Sequence, residues 1–307
     1  MDRFKFLAAA VGCGGLAACL YLAATFGLRG ALLLVYMTQL PLFLAGLWLG
    51  VGAAAIAGLT GAAVLLTTSD LVGAAVFAGL NAVPVVLLVR QALLARRRPD
   101  GTVDWYPPGL LTAWLTALAL AGIAAALLVF GGAAGLEAAL RGTIGATLDR
   151  LGRVPSVDRA HVVAAIAMIT PGVIAASWMA TSIADAALAQ GLLSRFGANW
   201  RPAPDLAGLS LPLWLPIALG LAAAATFVGG AARFVGINVM LTLAVPFCLA
   251  GLAVLHAAAR RLAQPAIALI CFYTLAALFG WPFLLVAVLG LLESWLGLRR
   301  RLAQKTN

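Results

Sequence analysis

Few residues of this chain could take part in chemistry, and the most distinctive is Asp185, within the long apolar segment 161–193. Thr181 precedes it by one helical turn, and Trp178 and Ser182 share the neighbouring helix surface. If the segment crosses a membrane, an ionisable group there is costly and usually functional, which indicates a ligand or ion contact. Helix–helix packing is the alternative, because hydroxyl groups and carboxylates also hydrogen-bond across helices.

Three uncharged polar residues, Gln39, Asn81 and Asn238, also lie inside apolar segments, and prolines at 41 and 84 stand near the first two. Loosened backbone at membrane depth is tolerated where it lines a cavity. These residues therefore complete a hypothetical ligand-binding set, with interhelical packing again as the alternative. The full set is Gln39, Asn81, Trp178, Thr181, Asp185 and Asn238.

Signatures of catalysis are missing from the sequence. We find no HExxH, GxSxG, Walker A or Rossmann pattern in a suitable context. The four cysteines lie in apolar segments without a CxxC pair, and the two histidines, His161 and His256, are predicted on opposite sides of the membrane. The prediction is a protein that is not an enzyme, with no catalytic residue, no metal and no cofactor.

Composition identifies the class of protein that must position these residues. The 307 residues are 64% hydrophobic and 10% charged, with a mean hydropathy of +1.07. Soluble domains carry about 25% charged residues, so this chain is predicted to be an all-α, polytopic membrane protein. The net charge of +10 is explained by basic residues that flank membrane helices, and we predict no nucleic-acid partner.

The apolar segments predict about eight to ten membrane helices within a single domain, 1–307. A membrane helix needs about 20 apolar residues, with a range of about 17–25. Segment 136–152 instead places leucine and isoleucine at helical spacing with charges on the other faces, which predicts one interfacial amphipathic helix. The predicted membrane helices are 6–28, 31–50, 51–66, 71–94, 109–130, 161–193, 213–227, 234–259, 265–279 and 282–298.

The last apolar segment, 265–298, is too long for one crossing, and Gly280, Trp281 and Pro282 stand at its middle. With this split and a cytoplasmic N-terminus, fourteen of the twenty basic residues fall on the cytoplasmic side. The positive-inside rule therefore favours cytoplasmic termini in a bacterial inner membrane.

A polar connector, 195–215, interrupts the apolar segments and contains three prolines, which exclude a helix interior. We expect it to lie on the cytoplasmic membrane surface and to bind a cytoplasmic or membrane protein partner. Its predicted contacts are Asn199, Arg201, Asp205 and Trp214.

A resemblance to a known family rests on three stretches: FGANWRPAPDLAGLSLPLWLP, GLAVLHAAARR and CFYTLAALFGWPFLLVAVLGLLESWLGLRRR, with Asn238 between the first two. LPLFLAGLWLG (40–50) supports it more weakly. Over about residues 171–302 the chain resembles the YybS-like bacterial membrane proteins of unknown function. By position, the resemblance implies roles for Asn199, Arg201, Pro202, Pro204, Asp205, Pro212, Trp214, Asn238, Gly251, His256, Tyr273 and Trp295.

The resemblance also implies a helical bundle with a cavity. The family is similar in fold to substrate-binding subunits of energy-coupling-factor vitamin transporters and to MreD-type cell-shape proteins, which is an analogy of fold alone. Its pattern has asparagine in the sixth helix about where Asp185 stands, so the resemblance implies a charged partner for this chain.

Two functions follow as hypotheses. The first is a small-molecule-binding or transport subunit whose cavity uses the six-residue set. The alternative is an MreD-like scaffold that binds envelope or division proteins through its helices and the connector, with Asp185 as internal packing.

Overall fold

The computed structural model describes residues 2–23, 30–151, 159–204 and 208–304. It confirms the all-α prediction: six helices among these residues are long and apolar enough to cross a membrane, and a bent helix pair adds a seventh if it counts as one span. The protein is thus a multi-pass membrane protein. Four of the ten predicted helices fall below the length of a full span, because they are short or broken.

The chain divides into two compact units, where the sequence predicted one domain. Unit 1 comprises Met1–Leu111 and Ala180–Asp205, and unit 2 comprises Thr112–Met179 and Leu206–Asn307. The long helix α9 (Arg159–Arg195) contributes residues to both units, so the boundary falls inside an uninterrupted apolar helix. A boundary of this kind leaves no polar linker for sequence analysis to detect.

Unit 1 contains short helices joined by breaks. Its elements are α1 (Arg3–Leu22), α2 (Ala31–Tyr36), α3 (Gln39–Leu49), α4 (Val51–Thr68), α5 (Leu71–Phe77), a π-helical turn (Ala78–Ala82), α6 (Val83–Ala92), β1 (Ala95–Arg97) and β2 (Val103–Trp105). α1 and α4 approach closely at Gly14, where an added Cβ would lie 2.3 Å from the Ala57 carbonyl oxygen. Part of the predicted helix 6–28, residues 24–28, lies outside the described residues.

Two prolines explain the breaks in unit 1. Pro41 lies in the first turn of α3, where its missing N–H leaves no hydrogen bond unmade, so the predicted helix 31–50 divides at Met37 and Thr38. Pro84 cannot donate to the carbonyl of Leu80 four residues earlier, and the π-helical turn interrupts the predicted helix 71–94 at this point.

A short hairpin follows α6. β1 pairs antiparallel with β2, and Arg98 forms a salt bridge with Asp104 across the connection. Asp100 accepts hydrogen bonds from the N–H and hydroxyl of Thr102, and Gly101 adopts a positive φ of 83°. Asp-Gly is a turn sequence, so the signal for a hairpin was present in the chain.

Unit 2 is built around α11. Its elements are α7 (Pro108–Val129) from Thr112 onward, α8 (Ala133–Leu151), the first part of α9, α10 (Trp214–Val228), α11 (Gly230–Ala259), α12 (Pro265–Phe279), α13 (Pro282–Leu296) and α14 (Leu298–Gln304). Phe247 and Leu243 of α11 pack with Leu215 and Ala113 in a buried cluster. α12 and α13 are bent by 119° at the predicted break, Gly280–Trp281.

The predicted amphipathic helix 136–152 corresponds to α8. Leu136 is buried and Leu140, Ile144 and Leu148 are half-buried, whereas most residues between them are exposed. Its apolar face therefore lies where the spacing placed it, and residue 152 lies outside the described residues. The predicted helix 282–298 ends earlier, at Leu296, because Gly297 adopts a left-handed φ of 57°.

Candidate functional site

Unit 1 contains a set of buried polar side chains, which we call the polar centre: Asp185, Gln39 and Asn81. Their exposed fractions are 3%, 4% and 9%. Asp185 comes from α9, Gln39 is the first residue of α3, and Asn81 lies in the π-helical turn. Two of the three residues therefore lie at interruptions of apolar helices.

The carboxyl group of Asp185 binds the N-terminus of α3. It accepts hydrogen bonds from the backbone N–H groups of Gln39 and Leu40. The first N–H groups of a helix lack intrahelical acceptors and carry a partial positive charge, which favours an anion. The break after α2 therefore brings these two N–H groups to Asp185, and the N–H of Leu40 is shared with the carbonyl of Met37 at 3.2 Å.

The side chain of Gln39 connects this helix end to the π-helical turn. Its Nε2 donates to the Leu80 carbonyl at 3.0 Å. This is the carbonyl from which Pro84 withholds its usual i+4 donor. Asn81 follows Leu80 directly in the same π-helical turn and is buried.

Two buried acceptor atoms of the polar centre have no hydrogen-bond partner among the described residues: Asp185 Oδ2 and Gln39 Oε1. Asp185 also forms no ion pair within the described part of the chain. Buried polar atoms are normally satisfied, and each exception calls for an explanation. The polar centre thus combines one carboxylate with a surplus of acceptors.

Asn238 of unit 2 shows the opposite pattern. Its Oδ1 accepts from the N–H of Gly172 at 2.6 Å, and its Nδ2 donates to the carbonyls of Met168 and Phe234 at 3.0 and 2.7 Å. An ideal helix would pair Met168 and Gly172 with each other. Asn238 therefore bridges α9 beside Pro171, and both of its amide hydrogens are used in packing.

The predicted ligand-binding set is divided between the two units. Gln39, Asn81, Thr181 and Asp185 belong to unit 1, whereas Trp178 and Asn238 belong to unit 2. Thr181 is half-buried one turn before Asp185. The sequence did not identify the backbone N–H groups of residues 39 and 40, although Pro41 in an apolar segment was the available signal.

Arg201 of the connector was predicted to contact a partner, and it is buried against its own chain. It is 5% exposed, and its Nη1 and Nη2 donate to the carbonyls of Ala92 and Tyr106 at 3.0 and 2.8 Å. Ala92 is the last residue of α6, where a cation complements the helix dipole. Burial lowers the pKa of the Arg201 guanidinium below its ordinary value, because desolvation disfavours the charged form.

The other connector predictions have different outcomes. Asn199 is half-buried and its Nδ2 donates to the Arg201 carbonyl at 2.9 Å, as does Gln190 Nε2 at 2.7 Å. Trp214 is the first residue of α10 and is 39% exposed. Asp205 lies outside the described residues.

The remaining family-pattern positions lie in unit 2. Gly251 permits close packing of α11 on α13, because an added Cβ would lie 1.9 Å from the Val286 carbonyl oxygen. His256 Nε2 lies 3.5 Å from the Tyr273 hydroxyl, and its Nδ1 lies 2.9 Å from the Leu252 carbonyl. Trp295 is 64% exposed.

Glu293, which is buried, forms an ion pair with the half-buried Arg299 in unit 2. Arg299 Nε donates to Glu293 Oε1 at 2.8 Å, and the backbone N–H of Arg299 donates to Glu293 Oε2 at 3.1 Å. Arg299 Nη2 also donates to the carbonyl of Leu209, which attaches the second part of the connector. This pair neutralises its own charge, unlike Asp185.

Comparison with known proteins returned no match: no family model, no curated protein and no solved structure matches the chain.

Proposed function

We propose that this protein is a small-molecule-binding or transport subunit of a bacterial cytoplasmic membrane, and that the polar centre is its binding site. The observation that carries the proposal is the position of the Asp185 carboxyl group at the N-terminus of α3. This N-terminus exists because a break separates α2 from α3 within an apolar segment. Discontinuous helices whose ends face charged groups build the substrate and ion sites of many transporters.

The energetic cost of the arrangement also supports binding. A buried ionisable group without a counter-charge is expensive in apolar surroundings, and simple packing does not require one. Asn238 contacts α9 through an uncharged amide whose oxygen and nitrogen both form hydrogen bonds, so it links helices without burying a charge. Asp185 retains an unused acceptor, as a site that receives a ligand would.

The scaffold alternative has less support. It assigned Arg201 to partner contacts, but this guanidinium donates to two carbonyls of its own chain. A buried group of this kind stabilises the connector rather than a partner. The YybS-like resemblance, the cytoplasmic termini and the absence of catalysis and cofactors remain parts of the proposal.

Ligand-dependent thermal stability tests this function. A solute that binds the folded state stabilises it by RT ln(1 + [L]/Kd), so at least one organic solute from a metabolite panel should raise the melting temperature of the purified protein. Asp185→Asn should abolish that shift. Asp70→Asn is the matched control, because Asp70 is an exposed helix cap of the same unit.

The outcomes separate the two hypotheses. A shift in the wild type and in Asp70→Asn, lost in Asp185→Asn, supports a binding subunit. Lower stability of Asp185→Asn with an unchanged solute shift would assign Asp185 to packing. Absence of any solute shift, together with a protein partner that co-purifies stoichiometrically, would favour the scaffold.

A further inference from the structure

We propose that the polar centre binds a single alkali cation, for which sodium is the probe, between Asp185 Oδ2 and Gln39 Oε1. This inference rests on the proposed function, because it names the ion that binds at the polar centre. Its starting point is that both atoms are buried acceptors without a hydrogen-bond partner among the described residues. The residues that carry them are 3% and 4% exposed.

The type of the unsatisfied atoms restricts the occupant. A carboxylate oxygen and an amide oxygen both donate electron pairs, so the missing group is a cation or a hydrogen-bond donor. Hard cations prefer such oxygen ligands. Between these two almost fully buried oxygen atoms a bare ion fits better than a hydrogen-bond donor of a large molecule, so an organic solute would contact the polar centre through its other groups.

Charge balance restricts the occupant further. Asp185 contributes one negative charge and has no ion-pair partner within the described residues. One monovalent cation neutralises it, whereas a divalent ion would leave a net charge in apolar surroundings. The two N–H groups on the carboxyl are dipoles and supply no full counter-charge.

The backbone around the centre holds its ligands in position. The Gln39 amide is oriented because its Nε2 donates to Leu80, which leaves Oε1 as the free end of the group. The Asp185 carboxyl is oriented because Gln39 and Leu40 bind it through their N–H groups. Each side chain thus uses one of its polar atoms for positioning and keeps the other for the ion, as second-shell contacts do at metal sites.

The test compares sodium chloride with N-methyl-D-glucamine chloride at equal ionic strength, using the full chain purified in detergent. Sodium should raise the melting temperature of the wild type steadily with concentration, as RT ln(1 + [Na⁺]/Kd) describes for one site, and Asp70→Asn should keep this shift. Asp185→Asn should lose it. Gln39→Ala should keep the N–H groups that bind Asp185 but weaken sodium binding by roughly tenfold, because one ligand is removed.

A melting temperature that does not respond to sodium in the folded wild type would overturn the site, as would a response to protons alone. An unchanged sodium affinity in Asp185→Asn would also overturn it. If Asp185→Asn does not fold, Gln39→Ala decides, because an unaltered affinity there removes the proposed ligand. A solute shift without a sodium shift would overturn this inference and leave the proposed function standing, whereas a sodium shift without any solute would support this inference alone.

Discussion

Substitution of Arg201 by alanine should destabilise unit 1, because its guanidinium holds together three parts of that unit. Arg201 donates to the last residue of α6 and to Tyr106 after β2, and it does so from a buried position. Arg201→Ala removes both hydrogen bonds and leaves two carbonyls without their donors.

The magnitude follows from these two bonds. A hydrogen bond to a charged group contributes about 1.5–3 kcal/mol, and part of each loss is recovered if water reaches the carbonyl. The free energy of unfolding should therefore fall by about 3 kcal/mol. Arg201→Lys should recover only part of it, because an ammonium is a point charge and lacks the planar fork that reaches two acceptors.

Thermal unfolding of the detergent-purified protein, followed by size-exclusion chromatography of the soluble fraction, measures this loss. Arg96→Ala is the matched control, since Arg96 is an exposed arginine of β1 in the same unit. Equal stability of Arg201→Ala and Arg96→Ala would refute the structural role. Lost partner binding at unchanged stability would restore the scaffold hypothesis.

Three further substitutions test packing in unit 2. Gly290→Leu should prevent stable folding or lower the melting temperature strongly, because its Cβ would lie 1.8 Å from the Phe247 carbonyl oxygen. Gly220→Leu is the control and should be tolerated, because Gly220 faces open space on α10. Similar expression and melting temperatures of the two variants would contradict this prediction. Asn238→Leu should cost about 2 kcal/mol by removing three hydrogen bonds yet leave the sodium response unchanged, and a lost response would show that Asn238 serves the site. Glu293→Ala should cost roughly 3 kcal/mol, because it removes the counter-charge of the half-buried Arg299, and unchanged unfolding at neutral pH would show that the pair contributes nothing.

The apolar segments made most of the helices predictable. Their length and lack of charge indicate membrane helices directly, so α4, α7 and α9 lie close to segments 51–66, 109–130 and 161–193. The break at Gly280–Trp281 was predictable for a related reason, because Gly280 favours the end of one helix and Pro282, two residues later, favours the start of the next.

The polar centre could be predicted only in part. Asp185, Gln39 and Asn81 stood out as polar residues within apolar segments, but sequence spacing does not tell which polar residues meet. Asn238 looked equivalent to Gln39 from the sequence, and it differs because neighbouring backbone satisfies it completely. Pro41 indicated a helix start near residue 39, but which group the backbone N–H groups there bind required the three-dimensional arrangement.

The burial of Arg201 could not be predicted from the sequence, for a physical reason. An arginine among prolines and polar residues usually indicates an exposed loop, and charged residues are seldom fully buried unless they are paired. The partners of Arg201 are backbone carbonyl oxygens, one at the end of α6 and one just after β2. Every residue has such a carbonyl, so the sequence does not indicate which of them bind the guanidinium.

The most direct test of a binding role for the polar centre is native mass spectrometry of the protein purified gently from its own membranes. We expect a stoichiometric small solute, a sodium ion or both to remain bound to the wild type and to Asp70→Asn, and to be lost from Asp185→Asn. A wild-type chain that carries only lipids or protein partners, with the same mass pattern in Asp185→Asn, would contradict the account and assign Asp185 to helix packing.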